Sequence, residues 1–98
     1  MAEIRWTDQA ATDLEAIADF IAADSPYYAR LFVMDVLKAV ERLADFPKSG
    51  RAVPETHRED IREILLGNYR IVYRLRAEVA EILTVYHGAR WMDPDEIV

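Results

Sequence analysis

The 98-residue sequence has no cysteine, which excludes a disulfide framework, thiolate zinc or iron-sulfur ligation and a cysteine nucleophile. A reducing, cytoplasmic setting fits this better than a secreted one. Only 3 glycines and 4 prolines are present, too few for a collagen-like, low-complexity or linker-rich chain. No uncharged run approaches the roughly 18 residues of a membrane span, and Met1-Ala2-Glu3-Ile4-Arg5-Trp6 has no apolar stretch of signal-peptide length. The chain is therefore expected to be soluble and untargeted, with no membrane partner. Positive charge is in the minority: the formal net charge is -6, so the overall field repels phosphate, and strong direct nucleic-acid binding is not expected unless cations gather locally.

What is present is a balance of 52% apolar and 31% charged residues, which suits one compact domain spanning residues 1–98. Glu3 to Trp6 alternates charged and apolar residues like a half-buried strand, and Thr7 and Asp8 offer side-chain oxygens to cap a helix. From Asp8 to Ala23 the positions Ala10, Leu14, Ile17, Ala18 and Ile21 recur at spacings of three and four. Asp24-Ser25-Pro26 breaks that helix and starts another, since proline suits a first helical turn. The second apolar line runs Ala29, Phe32, Val33, Val36, Leu37, Val40, Leu43, Ala44 until Phe46-Pro47. That stripe is taken up by the sheet and the first helix, leaving no coiled-coil role.

Lys48 to Asp60, with Gly50 and Pro54 and no periodicity, reads as a connecting loop. Three β-rich runs follow, Arg62 to Leu66, Tyr69 to Arg76 and Val79 to His87, with turns at Gly67-Asn68 and near Ala77-Glu78. In the middle run Tyr69, Ile71, Tyr73 and Leu75 share one face, expected to be core, and Arg70, Val72, Arg74 and Arg76 the other, expected to be cationic. The predicted fold class is a two-layer α+β domain. It has an N-terminal strand and an antiparallel helical hairpin packed on a mainly antiparallel sheet, which a three-stranded C-terminal meander completes.

No phosphate-binding glycine loop, paired histidines at helical spacing or nucleophile elbow occurs, so no cofactor is implied. His57, Glu59 and Asp60 form an i, i+2, i+3 cluster in a polar loop, which is the pattern of solvated surface rather than of a metal site. The unusual feature is arginine in an acidic chain: from Ile64 to Ala77 there are Arg70, Arg74 and Arg76 and no acid, and His87, Arg90 and Trp91 follow. Two arrangements are open. The cations line an exposed hollow that accepts carboxylates or phosphates, or they pair with Glu63, Glu81 and the acids of Asp93-Pro94-Asp95-Glu96. Tyr69, Tyr73, Tyr86 and Trp91 could stack on a base, but alternating strand tyrosines are more often packing.

The order and spacing of four stretches resemble the RelE/ParE superfamily of bacterial toxin-antitoxin toxins over about Ile4 to Arg90, nearly the whole chain. These are Trp6-Thr7 with Ala10, Asp13-Leu14, Ile17 and Phe20-Ile21; Phe46-Pro47 with Gly50-Arg51; Gly67-Asn68-Tyr69-Arg70-Ile71-Val72-Tyr73; and Ile82-Leu83-Thr84-Val85-Tyr86-His87 with Arg90. The fold that the resemblance implies agrees with the one the periodicity gives.

The resemblance implies one of two activities. RelE-type members cut messenger RNA in the ribosomal A site with cationic side chains on the scissile phosphate, and Arg70 and Arg90 match arginine positions of that pattern. The strand Arg62-Glu63-Ile64-Leu65-Leu66 has no lysine, however, and no tyrosine occurs between Arg90 and Val98, so the proton-transfer groups of that chemistry are missing. ParE-type members share the Gly-x-Tyr-Arg strand and a His-x-x-Arg ending without the catalytic set, and characterised ones poison DNA gyrase. The chain is closer to these. The implied function is a gyrase-inhibiting toxin with no catalytic residues, neutralised by a ParD-like or RelB-like antitoxin. The alternatives are a ribosome-dependent endoribonuclease using Arg70 and Arg90, or an inert antitoxin-binding member. Arg70, Arg74, Arg76, His87, Arg90 and Trp91 are the expected target- or antitoxin-binding residues.

Overall fold

The computed structural model describes residues 1–88 together with Asp93 and Asp95. β1 (Glu3–Trp6) leads directly into α1 (Asp8–Ala22). Thr7 makes that junction: its hydroxyl oxygen accepts from the Ala10 N–H at 3.1 Å as an N-cap and its hydroxyl donates to the Ile82 carbonyl at 2.7 Å. One side chain thus starts the helix and fixes it to the sheet. α1 ends at a tight return in which the Asp24 and Ser25 N–H groups both donate to the Ile21 carbonyl. α2 (Pro26–Asp45) begins with Ser25 as N-cap and proline in its first turn, the combination the sequence signals.

The five-stranded sheet contains β1, β2 (Arg51–Ala52), β3 (Ile61–Leu66), β4 (Tyr69–Arg76) and β5 (Val79–His87), in the order β1-β5-β4-β3-β2. β1 runs parallel to β5, and every other neighbouring pair is antiparallel. The helical hairpin carries the chain from β1 at one edge of the sheet to β2 at the other, and the antiparallel run that follows brings β5 back beside β1. β2 departs from expectation. The stretch Lys48 to Asp60 reads as loop, yet Arg51 and Ala52 pair with Glu63 and Arg62. A strand of two residues is too short to show alternation.

Both connections of the meander are two-residue turns. Gly67 takes φ +57°, which suits glycine at the first central position. Ala77 and Glu78 both take positive φ, +47° and +64°, a conformation that side chains resist. A bulge interrupts β5: Val72 pairs with Thr84 but Tyr73 with Ile82, leaving Leu83 extra. The slip changes the phase of the strand, so Ile82 and Val85 both reach the helix side.

The main core lies between the hairpin and the sheet, where Ala10, Val36, Val40 and Leu43 meet Ile71, Tyr73, Ala80, Ile82 and Val85. Burial of each large aliphatic side chain there contributes about 1.5–3 kcal/mol. α1 is further tied to β5 by the Asp13 carboxylate, which accepts from the Thr84 hydroxyl. The opposite face of the sheet carries a second apolar cluster of Val53, Ile61, Val72, Leu83 and Tyr86, under the loop that precedes β3. That face is therefore not simply cationic, as the alternation of β4 suggests. Among the described residues no helix is long and apolar enough to cross a membrane.

Candidate functional site

The outer face of β4 places Arg70, Val72 and Arg74 in line, with Glu63 on β3 beside them by strand parity. Arg70 is the centre of the arrangement, with a side chain only 8% exposed. Its Nε donates to Glu63 Oε1 at 2.6 Å, while Nη1 and Nη2 donate to the two oxygens of Glu55 at 2.8 and 2.9 Å. Glu63, wholly buried, also accepts from Arg51 Nε at 2.6 Å through its other oxygen. Two arginines and two carboxylates form a neutral chain. Arg70 also lies over the Tyr86 ring, 5.1 Å from its centroid. Hydrogen bonding to Glu55 raises its pKa, burial opposes that, and Glu63 adds to the rise.

The neighbouring cations are engaged in the same way. Arg74 donates to Glu81 at 2.8 Å, its partner across β4 and β5. Arg76 is 3.5 Å from Asp60, whose carboxylate is already held by Arg58 at 3.0 and 2.7 Å. That Arg58 hydrogen bond, against a smaller desolvation effect, keeps the Asp60 pKa below its ordinary value. His87 is exposed and meets the Tyr69 ring edge-on at 5.4 Å. Arg90 and Trp91 lie outside the described residues. Of the six residues that the sequence singles out, Arg70, Arg74 and Arg76 share one face, each against a carboxylate of this chain.

The tyrosines of the strands are packed. Tyr73 and Tyr86 are buried in the two clusters, and Tyr69 sits between Phe32 and His87. The Tyr73 hydroxyl accepts from the Gly50 N–H at 3.1 Å and donates to the Pro47 carbonyl at 2.7 Å. Among the described residues no group of His, Cys, Asp or Glu could hold a metal ion, and His57 is exposed in a turn at φ +55°.

Two features escape sequence reasoning. One is Glu55, a loop carboxylate 15 residues from the arginine that it clamps. The other is the outer face of α2, where Tyr27, Leu31, Met34 and Leu37 are 61%, 37%, 47% and 44% exposed. Tyr27, Leu31 and Met34 recur at i, i+4, i+7 and form a second stripe opposite the buried one. Leu37, read from the sequence as core, stands at its border. The sign available in the sequence was the excess of apolar residues in α2 over what one buried stripe needs. At the C-terminal end of α2, Arg42, Phe46, Pro47, Lys48 and Ser49 line an open pocket of about 510 Å³.

Comparison with known proteins gives this geometry its context. Residues 4–92 match the family described as the ParE toxin of the type II toxin-antitoxin system, parDE. The chain is 33% identical over 90 residues to toxin RelE2 of Caulobacter vibrioides, covering 92% of this chain and 99% of that protein. It is 40% identical over 87 residues to Y4kP of Sinorhizobium fredii, covering 87% of this chain and 86% of that protein. Among solved structures, it is similar to a chain of the chromosomal ParDE toxin-antitoxin system from P. aeruginosa, with a TM-score of 0.73 and 26% identity over 89% of this chain and 96% of that one.

Proposed function

Because the chain belongs to the ParE toxin family of type II toxin-antitoxin systems, we propose that it is a toxin that inhibits DNA gyrase by binding it, and that a cognate antitoxin neutralises it. The observation that carries this reading over messenger RNA cleavage is the state of Arg70. A nuclease of the superfamily would present this cation to the scissile phosphate. Here the guanidinium is buried and bound at three nitrogens by Glu55 and Glu63. An incoming phosphate would have to displace a bidentate carboxylate and then lie beside two like charges, which opposes transition-state stabilisation. β3 supplies no lysine, and the net charge of -6 works against dwelling on ribosomal RNA.

A toxin that acts by binding needs a shaped surface rather than proton-transfer groups. The paired arginines hold the loop before β3 onto the sheet and so shape its outer face, on which Arg76 is exposed, while His87 is exposed beside Tyr69 on the helix side of the sheet. Arg90 and Trp91 extend the proposed contact set. The antitoxin's C-terminal segment covers the apolar outer stripe of α2, whose exposure in an isolated monomer calls for a partner. The second reading is ribosome-dependent cleavage by Arg70 and Arg90, the two arginine positions that match the RelE-type pattern.

Induction in a host lacking the antitoxin separates the readings. Gyrase inhibition yields filamentous cells, a DNA-damage response and trapped cleaved DNA. Nuclease action yields transcript cuts that require ribosomes, and an inert member yields neither.

A further inference from the structure

The described cations fall into two populations. Those of the sheet and its loops meet an acceptor within the chain: Arg5 pairs with Glu3, Arg51 and Arg70 with Glu63, Arg58 and Arg76 with Asp60, and Arg74 with Glu81. Arg62 donates to the Gly50 carbonyl at 2.7 Å. Arg30, Lys38 and Arg42 on α2, and Lys48 just after it, have no carboxylate within ion-pair distance among the described residues.

Two of these unpaired cations converge. Arg42 and Lys48 line the pocket whose apolar walls are Phe46 and Pro47, and among the described residues no acidic side chain lines it, although the chain as a whole is acidic. Glu41 and Asp45 occupy neighbouring helical positions outside the lining. Phe46 is 60% exposed, a large aromatic presented to solvent between two positive charges. Leu31, Lys38 and Arg42, at i, i+7 and i+11, follow one side of α2, so a segment lying along the exposed stripe is led into the pocket at the helix end.

We infer that this pocket receives an apolar side chain flanked by carboxylates, supplied by the toxin-binding segment of the antitoxin. The inference rests on the reading that an antitoxin neutralises this chain. Charge complementarity selects the occupant: an aliphatic or aromatic group packs on Phe46 and Pro47, and acidic neighbours reach Arg42 and Lys48, which have no carboxylate partner among the described residues to surrender. Arg42 also lies in the last turn of α2, where a cation offsets the helix's negative end. Lys48 lies beyond the helix and has no such role.

The test is calorimetric titration of the full-length chain with its cognate antitoxin at low and high salt. Arg42→Glu with Lys48→Glu is expected to weaken binding at least about tenfold and to flatten its salt dependence, and Phe46→Ala to weaken it about tenfold with the salt dependence kept. The charge-conserving pair Arg42→Lys with Lys48→Arg keeps affinity within about threefold, and Arg5→Glu on β1 leaves it unchanged. If the double reversal unfolds the chain, Arg42→Gln with Lys48→Gln replaces it, with a smaller loss expected in the same direction. Affinity within about twofold of the natural chain for the charge-reversed pair overturns the inference, as does loss of toxicity with antitoxin affinity intact, which assigns the pocket to the target. If the natural chain does not bind the antitoxin at all, the neutralisation reading fails and this inference with it.

Discussion

Arg70 and Glu63 sit diagonally across β4 and β3 on the same face, joined by a 2.6 Å hydrogen bond with both side chains withdrawn from solvent. A pair in this position is a structural commitment, because removing either partner strands a buried charge. Arg70→Ala is expected to cost about 3–5 kcal/mol in urea unfolding. Glu55→Gln, which weakens the partly exposed end of the clamp, is expected to cost about 1–2 kcal/mol. An Arg70→Ala variant as stable as the natural chain would show that the clamp contributes nothing.

Gly50 and Tyr73 are fitted to each other. A Cβ at Gly50 would lie 2.6 Å from the Tyr73 hydroxyl and 2.7 Å from the Glu63 carbonyl. Gly50→Ala should therefore destabilise by about 1–3 kcal/mol through overpacking. Tyr73→Phe should cost about 1–3 kcal/mol by leaving the Gly50 N–H and the Pro47 carbonyl without their shared partner. Because both changes act on one contact, their costs in the double variant should fall short of the sum, which a thermodynamic cycle measures.

The Ala77-Glu78 turn places two ordinary residues at positive φ. Ala77→Asn with Glu78→Gly supplies the residues that such a turn favours and should raise stability by about 0.5–1 kcal/mol, read as a higher thermal midpoint. An unchanged or lower midpoint would contradict the strain assigned to this turn.

Acid sensitivity follows from Asp60. Its pKa in the folded chain is lowered, mainly by the Arg58 hydrogen bond, so the unfolded chain binds the proton more tightly. The stabilisation is complete above the unfolded value near 3.9 and is lost as pH falls through the lower folded value. Asp60→Asn should therefore reduce stability at pH 7 and flatten the pH dependence below about 4, measured by urea unfolding across pH.

Much of the fold is legible because it is written in local periods. The alternation of Tyr69 to Arg76, the threefold and fourfold spacing from Ala10 to Ile21 and the Ser25-Pro26 start all appear as strands, helix and cap where expected. Strand parity also makes Glu63 and Glu81 visible as partners for Arg70 and Arg74. Glu55 is not visible, because its place depends on a loop folding back over the sheet, and no period records such a return. Val53 and β2 are hidden for the same reason. The outer stripe of α2 escapes notice because apolar residues read by default as core, and only the packed structure shows that the core is already full without them.

On the proposed reading this chain acts by binding gyrase, with its nuclease-position arginine closed off by Glu55 and Glu63. The most direct measurement is DNA cleavage by purified gyrase in the presence of the purified chain, with ribosome-programmed messenger RNA assayed alongside it. The account predicts accumulation of cleaved DNA that the antitoxin reverses, with the transcripts intact. Unaffected gyrase together with ribosome-dependent transcript cuts that Arg70→Ala abolishes would contradict it.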